Sequence, residues 1–383
     1  MRFLIVNTDY PTFLRQHYTT KPKLAFASFE SQMHARAASW FSVSDCYTHA
    51  LQHHAHEAWD IHANNIFAQH AWAREHSPRI VRDVPAPLPG VSRIPWTCKR
   101  GSNNFDWLID VLVEQVKQLQ PDVVLNQAMD GIAPDIMREL RPHVPVLTGQ
   151  QASPALDEIL DWRIYDLCVS SFPWRVDWFA QQGVRGELNR LAFDARVLHV
   201  LPEVDRDLPL TFVGSFFDMH RSRTQLLEKI AERFPLQVWG PAPKDGFAGS
   251  PLAKCYQGEA WGLDMLSILR RSQITLNHHG DVPPFANNFR LFEATGCGAM
   301  LVTDWKQNLH EMFDIGNEVA AYRNDEECLS MIERYMHDEP ARLAIAAAGY
   351  QRTIAEHTFI DRMASFAAMV EPLVTTKLGR VAA

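Results

Sequence analysis

Asn287-Asn288-Phe289-Arg290-Leu291-Phe292-Glu293-Ala294-Thr295-Gly296-Cys297-Gly298 runs without a break into Ala299-Met300-Leu301-Val302-Thr303-Asp304. The asparagines read as loop, the residues from Arg290 as a helix start, the glycines as a tight turn and the apolar run as a buried strand. A guanidinium and a carboxylate three residues apart near a helix start can together hold a ligand that is both anionic and hydroxylated. A nucleotide-sugar has both properties.

The same rhythm extends upstream. Residues 210–213, 236–239 and 274–277 read as strands, with helices over 224–234 and 263–271 between them. An earlier series begins with a strand over 3–6 that opens into Asn7-Thr8-Asp9-Tyr10-Pro11. Phe105, Leu108, Ile109, Leu112, Val116 and Leu119 recur at helical spacing, with Ser102 or Asn103 available as N-cap, before a strand over 123–125. A helix over 134–140 and strands over 144–147 and 167–169 continue the alternation. Residues 44–76 read as long and helical, and 78–95, with five prolines, as an irregular connection. Two strand-helix series either side of roughly residue 200 predict an α/β protein of two Rossmann-like domains. The boundary is expected at Leu201-Pro202-Glu203-Val204-Asp205. Thr358 and Asp361 have capping-box spacing and predict a helix from about 359 to 375.

The R-x-F-E-x-x-x-x-G pattern of Arg290, Phe292, Glu293 and Gly298 resembles the carboxy-terminal motif of GT-B glycosyltransferases, in particular the spore-protein CgeB-like branch of the group-1 family. The resemblance takes in Phe212-Val213-Gly214-Ser215, Phe313-Asp314-Ile315-Gly316-Asn317-Glu318, Ile345-Ala346-Ala347-Ala348-Gly349 and the stretch from Glu356 to Arg362. It is thinner at Gly149-Gln150-Gln151-Ala152-Ser153-Pro154 and Leu191-Ala192-Phe193-Asp194, which look like linker-side motifs. It implies two domains facing a central cleft: an acceptor-binding domain over 1–203, a nucleotide-sugar-binding domain over 204–356, and a final helix over 357–383 crossing back to the first. It also implies sugar transfer from a UDP- or GDP-linked donor to a glycan, protein or small molecule, without a permanently bound cofactor or a metal.

On that resemblance Glu293 holds the ribose hydroxyls, a task suited to a carboxylate with two acceptor oxygens. Arg290, Arg221 and Arg223 are candidates for the diphosphate, with Gly214 and Ser215 letting backbone approach it and His220-Arg221-Ser222-Arg223 opening a helix. Trp239-Gly240-Pro241 and Cys255-Tyr256-Gln257-Gly258 fall where the family surrounds the nucleobase. Asn277, His278, His279 and Gly280 end a strand at the ligand edge. The broader family places a second glutamate eight positions before the first, and position 285 is Phe. For a general base the candidates are Asp9, His17 and Asp130. Each has an ordinary reading too: a helix-start carboxylate, a basic helix start, a turn aspartate.

Length and composition bound the rest. The 383 residues suit two domains, and 46% hydrophobic with 21% charged residues describes a globular chain. A net charge of −8 argues against nucleic acid or an anionic membrane as the main partner. Six cysteines without a C-x-x-C pair suggest a reducing cytoplasm, and no apolar run has the length of a signal peptide or of a membrane span. His49 and His53 share a helix face near His54, His56 and His62, but no H-E-x-x-H is present and no metal is expected. A nucleotide-dependent oxidoreductase is disfavoured because neither strand-end loop carries G-x-G-x-x-G. A catalytically silent GT-B scaffold binding a glycan or partner, a sugar-nucleotide epimerase and a phosphorylase remain alternatives. Oligomeric state is not legible.

Overall fold

The computed structural model describes residues 1–101, 104–151, 161–216, 221–243, 246–279 and 284–381. Ser102, Asn103, Ala152-Ser153-Pro154, His220 and Gly280 lie outside them. The chain forms two compact units. One comprises Met1–Ser39, Val43–Asn189 and Met363–Ala383, the other Trp40–Ser42 and Arg190–Arg362.

In the first unit, β1 (Arg2–Asn7), β2 (Glu57–His62), β3 (Val123–Asn126), β4 (Val146–Gln150), β5 (Leu167–Ser170) and β6 (Gly186–Leu188) form a parallel sheet in the order β2-β1-β3-β4-β5-β6. Parallel neighbours need crossovers, and helices supply them. These are α1 (Pro11–Thr20), α2 (Phe29–Ala37), α3 (Cys46–His53), α4 (Ile66–His76), α5 (Asp106–Leu119), α6 (Pro134–Leu140) and α7 (Pro173–Gln181). Phe3, Leu4, Ile5 and Val6 are all buried, as continuous apolar strands covered on both faces should be.

The second unit repeats the plan with β7 (Leu208–Val213), β8 (Leu236–Trp239), β9 (Ser272–Asn277), β10 (Met300–Asp304) and β11 (Ala320–Tyr322), all parallel, in the order β11-β10-β9-β7-β8. Its helices are α8 (Arg221–Ala231), α9 (Gly262–Arg271), α10 (Arg290–Gly296), α11 (Asp325–His337) and α12 (Glu339–Glu356). Leu210, Phe212, Ile274, Met300 and Val302 pack on one face against Leu226, Ile230 and Ile332. Val213 and Leu301 pack on the other against Leu269, Leu291 and Phe292. Each such side chain, fully buried, contributes about 1.5–3 kcal/mol.

Strand order places the sites. In the first sheet the chain steps from β1 to β2 on one side and then to β3 on the other; in the second it steps from β7 to β8 and then to β9. Crossovers on opposite faces diverge at such a switch point, and a crevice opens outside the strands' carboxyl ends. Those ends are Asn7 and Asn126 in the first sheet, and Val213 and Asn277 in the second.

Some expectations need correction. Residues 44–76 are not one long helix but α3, the edge strand β2 and α4. Ala55 takes the left-handed conformation (φ 59°) that ends α3, with no glycine or proline to announce it. Glu57-Ala58-Trp59-Asp60-Ile61-His62 then becomes a strand by pairing with β1. Helix α5 is preceded by Phe105, whose side chain makes no capping bond. Helix α8 spans Arg221–Ala231, where the apolar spacing gave 224–234. The capping box forms: Thr358 Oγ1 donates to Asp361 Oδ2 at 2.6 Å, and the Asp361 N–H returns to Thr358 Oγ1 at 3.4 Å. It starts α13 (Phe359–Val381), longer than expected, whose Met363, Phe366 and Val370 are buried in the first unit, with the Phe366 and Phe3 rings 6.3 Å apart.

Candidate functional site

At the switch point of the second sheet the main chain itself is close packed. Gly240 has φ +136°, and a Cβ there would lie 2.0 Å from the Gly214 carbonyl oxygen. The Gly214 N–H donates to the Trp239 carbonyl at 2.9 Å, and Tyr256 Oη donates to the Gly240 carbonyl at 3.0 Å. Only glycine fits at Gly240, and the backbone it leaves bare can approach a ligand closely. Arg221, the first residue of α8, is exposed. Arg223, expected at a diphosphate, is instead buried: it donates to the carbonyls of His278 (3.2 Å) and Ser215, over the Phe212 ring. It ties the loop after β7 to the end of β9, and so positions both.

Asn277 is likewise committed inside the protein. Its Nδ2 donates to Thr303 Oγ1 at 3.0 Å and its Oδ1 accepts from Asn288 Nδ2 at 2.7 Å. His278 bridges Ser222 Oγ (3.2 Å from Nε2) and Tyr322 Oη (2.9 Å from Nδ1). Burial pushes its pKa down while Asp304 pulls the other way. Asp304 Oδ1 accepts from His279 twice, from the backbone N–H at 2.9 Å and from Nδ1 at 2.7 Å, and Lys306 Nζ lies 3.2 Å from Oδ2. Burial alone would raise the Asp304 pKa, but His279, His278 and Lys306 together hold the carboxyl well below its usual range. Ser222, Asp304, Lys306 and Tyr322 were not singled out in the sequence. The usable signal was position: Asp304 and Tyr322 each end a strand at the same edge.

Arg290 and Glu293 meet as expected from their spacing. Arg290 Nη1 donates to Glu293 Oε2 at 2.8 Å, and Arg290 Nε reaches the carbonyl of Val213, the last residue of β7, at 3.2 Å. The carboxylate side chain is 16% exposed. Among the described residues Oε1 accepts no hydrogen bond. Burial raises the Glu293 pKa and Arg290 opposes the rise. The result is a carboxylate held at one oxygen, with the other presented beside the switch point.

In the first unit the base candidates behave differently from one another. Asp9 follows β1, but its carboxylate is buried in an ion pair: Arg36 Nη2 donates to Oδ1 at 2.6 Å, Arg36 Nε lies 3.1 Å from both oxygens, and His62 Nδ1 lies 3.1 Å from Oδ2. Burial would raise its pKa, yet Arg36 and His62 hold it well below the carboxylate range. A carboxylate so stabilised is a poor base. His17 is buried on α1 against Phe13 and Tyr18, and burial, with Lys21 and Arg36 nearby, pushes its pKa down to about 4. Its ring is neutral at pH 7. Asp130 is exposed in the turn after β3. Asp60 of β2, unnoticed in the sequence, is raised by burial to about 6, and lines a cavity of about 760 Å³ on the sheet's flank with Glu30, Trp59 and Trp72.

The clustered histidines scatter in space. His62 turns to Asp9, His56 Nδ1 lies 3.4 Å from the amino terminus, and the His53 and His54 rings meet edge-on at 5.3 Å. Among the described residues no three His, Cys, Asp or Glu side chains converge as metal ligands would.

Residues 221–368 match the family model described as "Glycosyl transferase-like". The chain also resembles solved structures over nearly its whole length. A sucrose-phosphate synthase from Thermosynechococcus elongatus is 10% identical with a TM-score of 0.60, over 98% of this chain and 100% of that one. The fold is GT-B. AviGT4, a glycosyltransferase involved in avilamycin A biosynthesis, shares this GT-B fold at 14% identity and a TM-score of 0.57, over 98% of each chain. HepE from Anabaena, solved in complex with UDP-glucose, is 11% identical with a TM-score of 0.56, over 97% of this chain and 100% of that one. No curated protein matches the chain by sequence. Among the described residues no helix is long and apolar enough to cross a membrane.

Proposed function

We propose that this GT-B chain transfers a sugar from a nucleoside-diphosphate-sugar to an acceptor, as a CgeB-like, metal-independent cytoplasmic enzyme. The observation that carries the reading is Glu293: one carboxylate oxygen fixed by Arg290, the other free of internal bonds among the described residues, beside the β7/β9 switch point. In this reading Oε1 accepts from a ribose hydroxyl while Gly214 and Gly240 let the nucleotide lie against bare backbone. Arg221 and Arg290 face the charge that builds on the departing diphosphate, which removes the need for a divalent cation. Uridine is the favoured base, since HepE of the same fold holds UDP-glucose. The first unit holds the acceptor, and with Asp9 committed to Arg36 and His17 buried and weakly basic, Asp130 is the favoured base candidate of the three.

The test is calorimetry with UDP and GDP on wild type and Glu293→Gln. The amide keeps one acceptor but loses the charge, so affinity is expected to fall roughly 10- to 150-fold. With a UDP-sugar donor, release of UDP should persist in excess chelator. Affinity within threefold of wild type, at an unchanged melting temperature, would sink the role of Glu293. A second reading, a scaffold that binds donor without transfer, draws on Phe285 and on the engaged Asp9; it predicts nucleotide affinity without sugar release.

A further inference from the structure

A cavity of about 570 Å³ opens in the second unit among Arg206, Arg270, Gly298, Glu339, Arg342 and Tyr350. Arg206 precedes β7, Arg270 closes α9 before β9, and Gly298 precedes β10, so the cavity lies at the amino ends of the strands. The switch point lies at their carboxyl ends, roughly 15–20 Å away for strands of this length.

The cavity's charge is unbalanced. Arg206 donates to the carbonyls of Arg270 and Ser272, at 2.8 Å each, and of Cys297 at 2.9 Å. Arg270 donates to that same Cys297 carbonyl at 3.4 Å, its one hydrogen bond from the guanidinium among the described residues. Two guanidiniums thus converge on a single neutral oxygen, and among the described residues no carboxylate pairs with either. Arg342 adds a third positive charge, faced at 3.5 Å by Glu339, whose side chain is 68% exposed. Gly298 (φ +76°) makes the convergence possible, because a Cβ there would stand 2.6 Å from Arg206 Nη2.

Carbonyls satisfy N–H groups but do not neutralise charge. Tying down helix ends accounts for Arg206, yet leaves Arg270 with most of its donors unspent beside a like charge. An anion with several acceptor oxygens resolves both features, since guanidinium forks match phosphoryl oxygens well. Leu343, Ala346, Ala347 and the Tyr350 ring form an apolar wall for the remainder of such a ligand. We infer that this cavity is a second ligand site, separate from the Glu293 site, for a small molecule bearing a phosphate or diphosphate group.

Calorimetry of inorganic pyrophosphate binding to the full chain tests this, using wild type, Arg270→Gln, Arg270→Lys and Arg290→Gln, each checked for an unchanged fold by circular dichroism. Wild type is expected to bind two equivalents. Arg270→Gln should weaken one of them roughly 10- to 150-fold and leave the other, with Arg270→Lys in between, while Arg290→Gln shows the complementary loss. One equivalent lost in Arg270→Gln and retained in Arg290→Gln supports this cavity while counting against the proposed diphosphate site. Binding that is unchanged in Arg270→Gln, or that only Arg290→Gln abolishes, or no binding at all to wild type, overturns the inference.

Discussion

Arg223 and Arg290 read alike in the sequence, as guanidiniums near helix starts, and the folded chain separates them by what each faces. Arg290 keeps Glu293 and the Val213 carbonyl as partners beside the crevice; Arg223 is consumed by the carbonyls of Ser215 and His278. Arg223→Met should leave those carbonyls without a buried donor, at about 1–3 kcal/mol each, partly relieved if water reaches them. Urea denaturation should register that loss of stability, and an unchanged midpoint would refute the positioning role. Nucleotide affinity should fall as well, because the loops on either side of the switch point lose their tie. The motif from Arg290 to Gly298 was legible because its partners are three residues apart. The fates of Asp9 and Arg223 were not, since Arg36, His62, Ser215 and His278 reach them only through tertiary folding.

Strands with continuous apolar runs, such as β1 and β3, were legible from composition because a doubly covered parallel strand has no polar face to show. β2 was not, because an edge strand interleaved with Glu57, Asp60 and His62 resembles a helix in polarity and is decided by pairing with β1. Helix α12 shows the converse, a feature of sequence with a packing cause. A Cβ on Gly349 would lie 2.4 Å from the Glu318 carbonyl oxygen and 3.3 Å from Thr295 Cγ2, where Thr295 and Thr353 share a 2.6 Å hydrogen bond. In an open helix Gly→Ala gains up to about 1 kcal/mol. Here the added methyl meets backbone, so Gly349→Ala is expected to destabilise by about 1–3 kcal/mol. A thermal melt showing stabilisation would mean that α12 moves away from the 318 loop at little cost.

Across the whole molecule the buried titratable groups set an acid limit. His17 and His357 are both held by burial at about 4. Between pH 6.5 and 4 the unfolded chain therefore binds protons that the native state refuses, and stability falls with pH by about 3 kcal/mol for each. Asp60, raised to about 6, works oppositely: below pH 6 the native state takes its proton first, which returns about 3 kcal/mol. The expected net loss from pH 7 to 4 is about 3 kcal/mol, measurable by urea unfolding at each pH. A stability that is level or rising toward pH 4 would contradict the burial of both histidines. Asp9 and Asp304, depressed further, lose their stabilising charge only below about pH 4. Helix α13 carries a different consequence. Its Phe366 and Val370 complete a core that Phe3 begins, so the first unit is built from the two ends of the described chain. During synthesis that unit waits, with an apolar face open, until the whole second unit has left the ribosome, and at about 5–20 residues per second that interval is roughly ten to forty seconds. The first unit thus depends on a helix that is translated only after the second unit, and the first unit is where a chaperone would be needed.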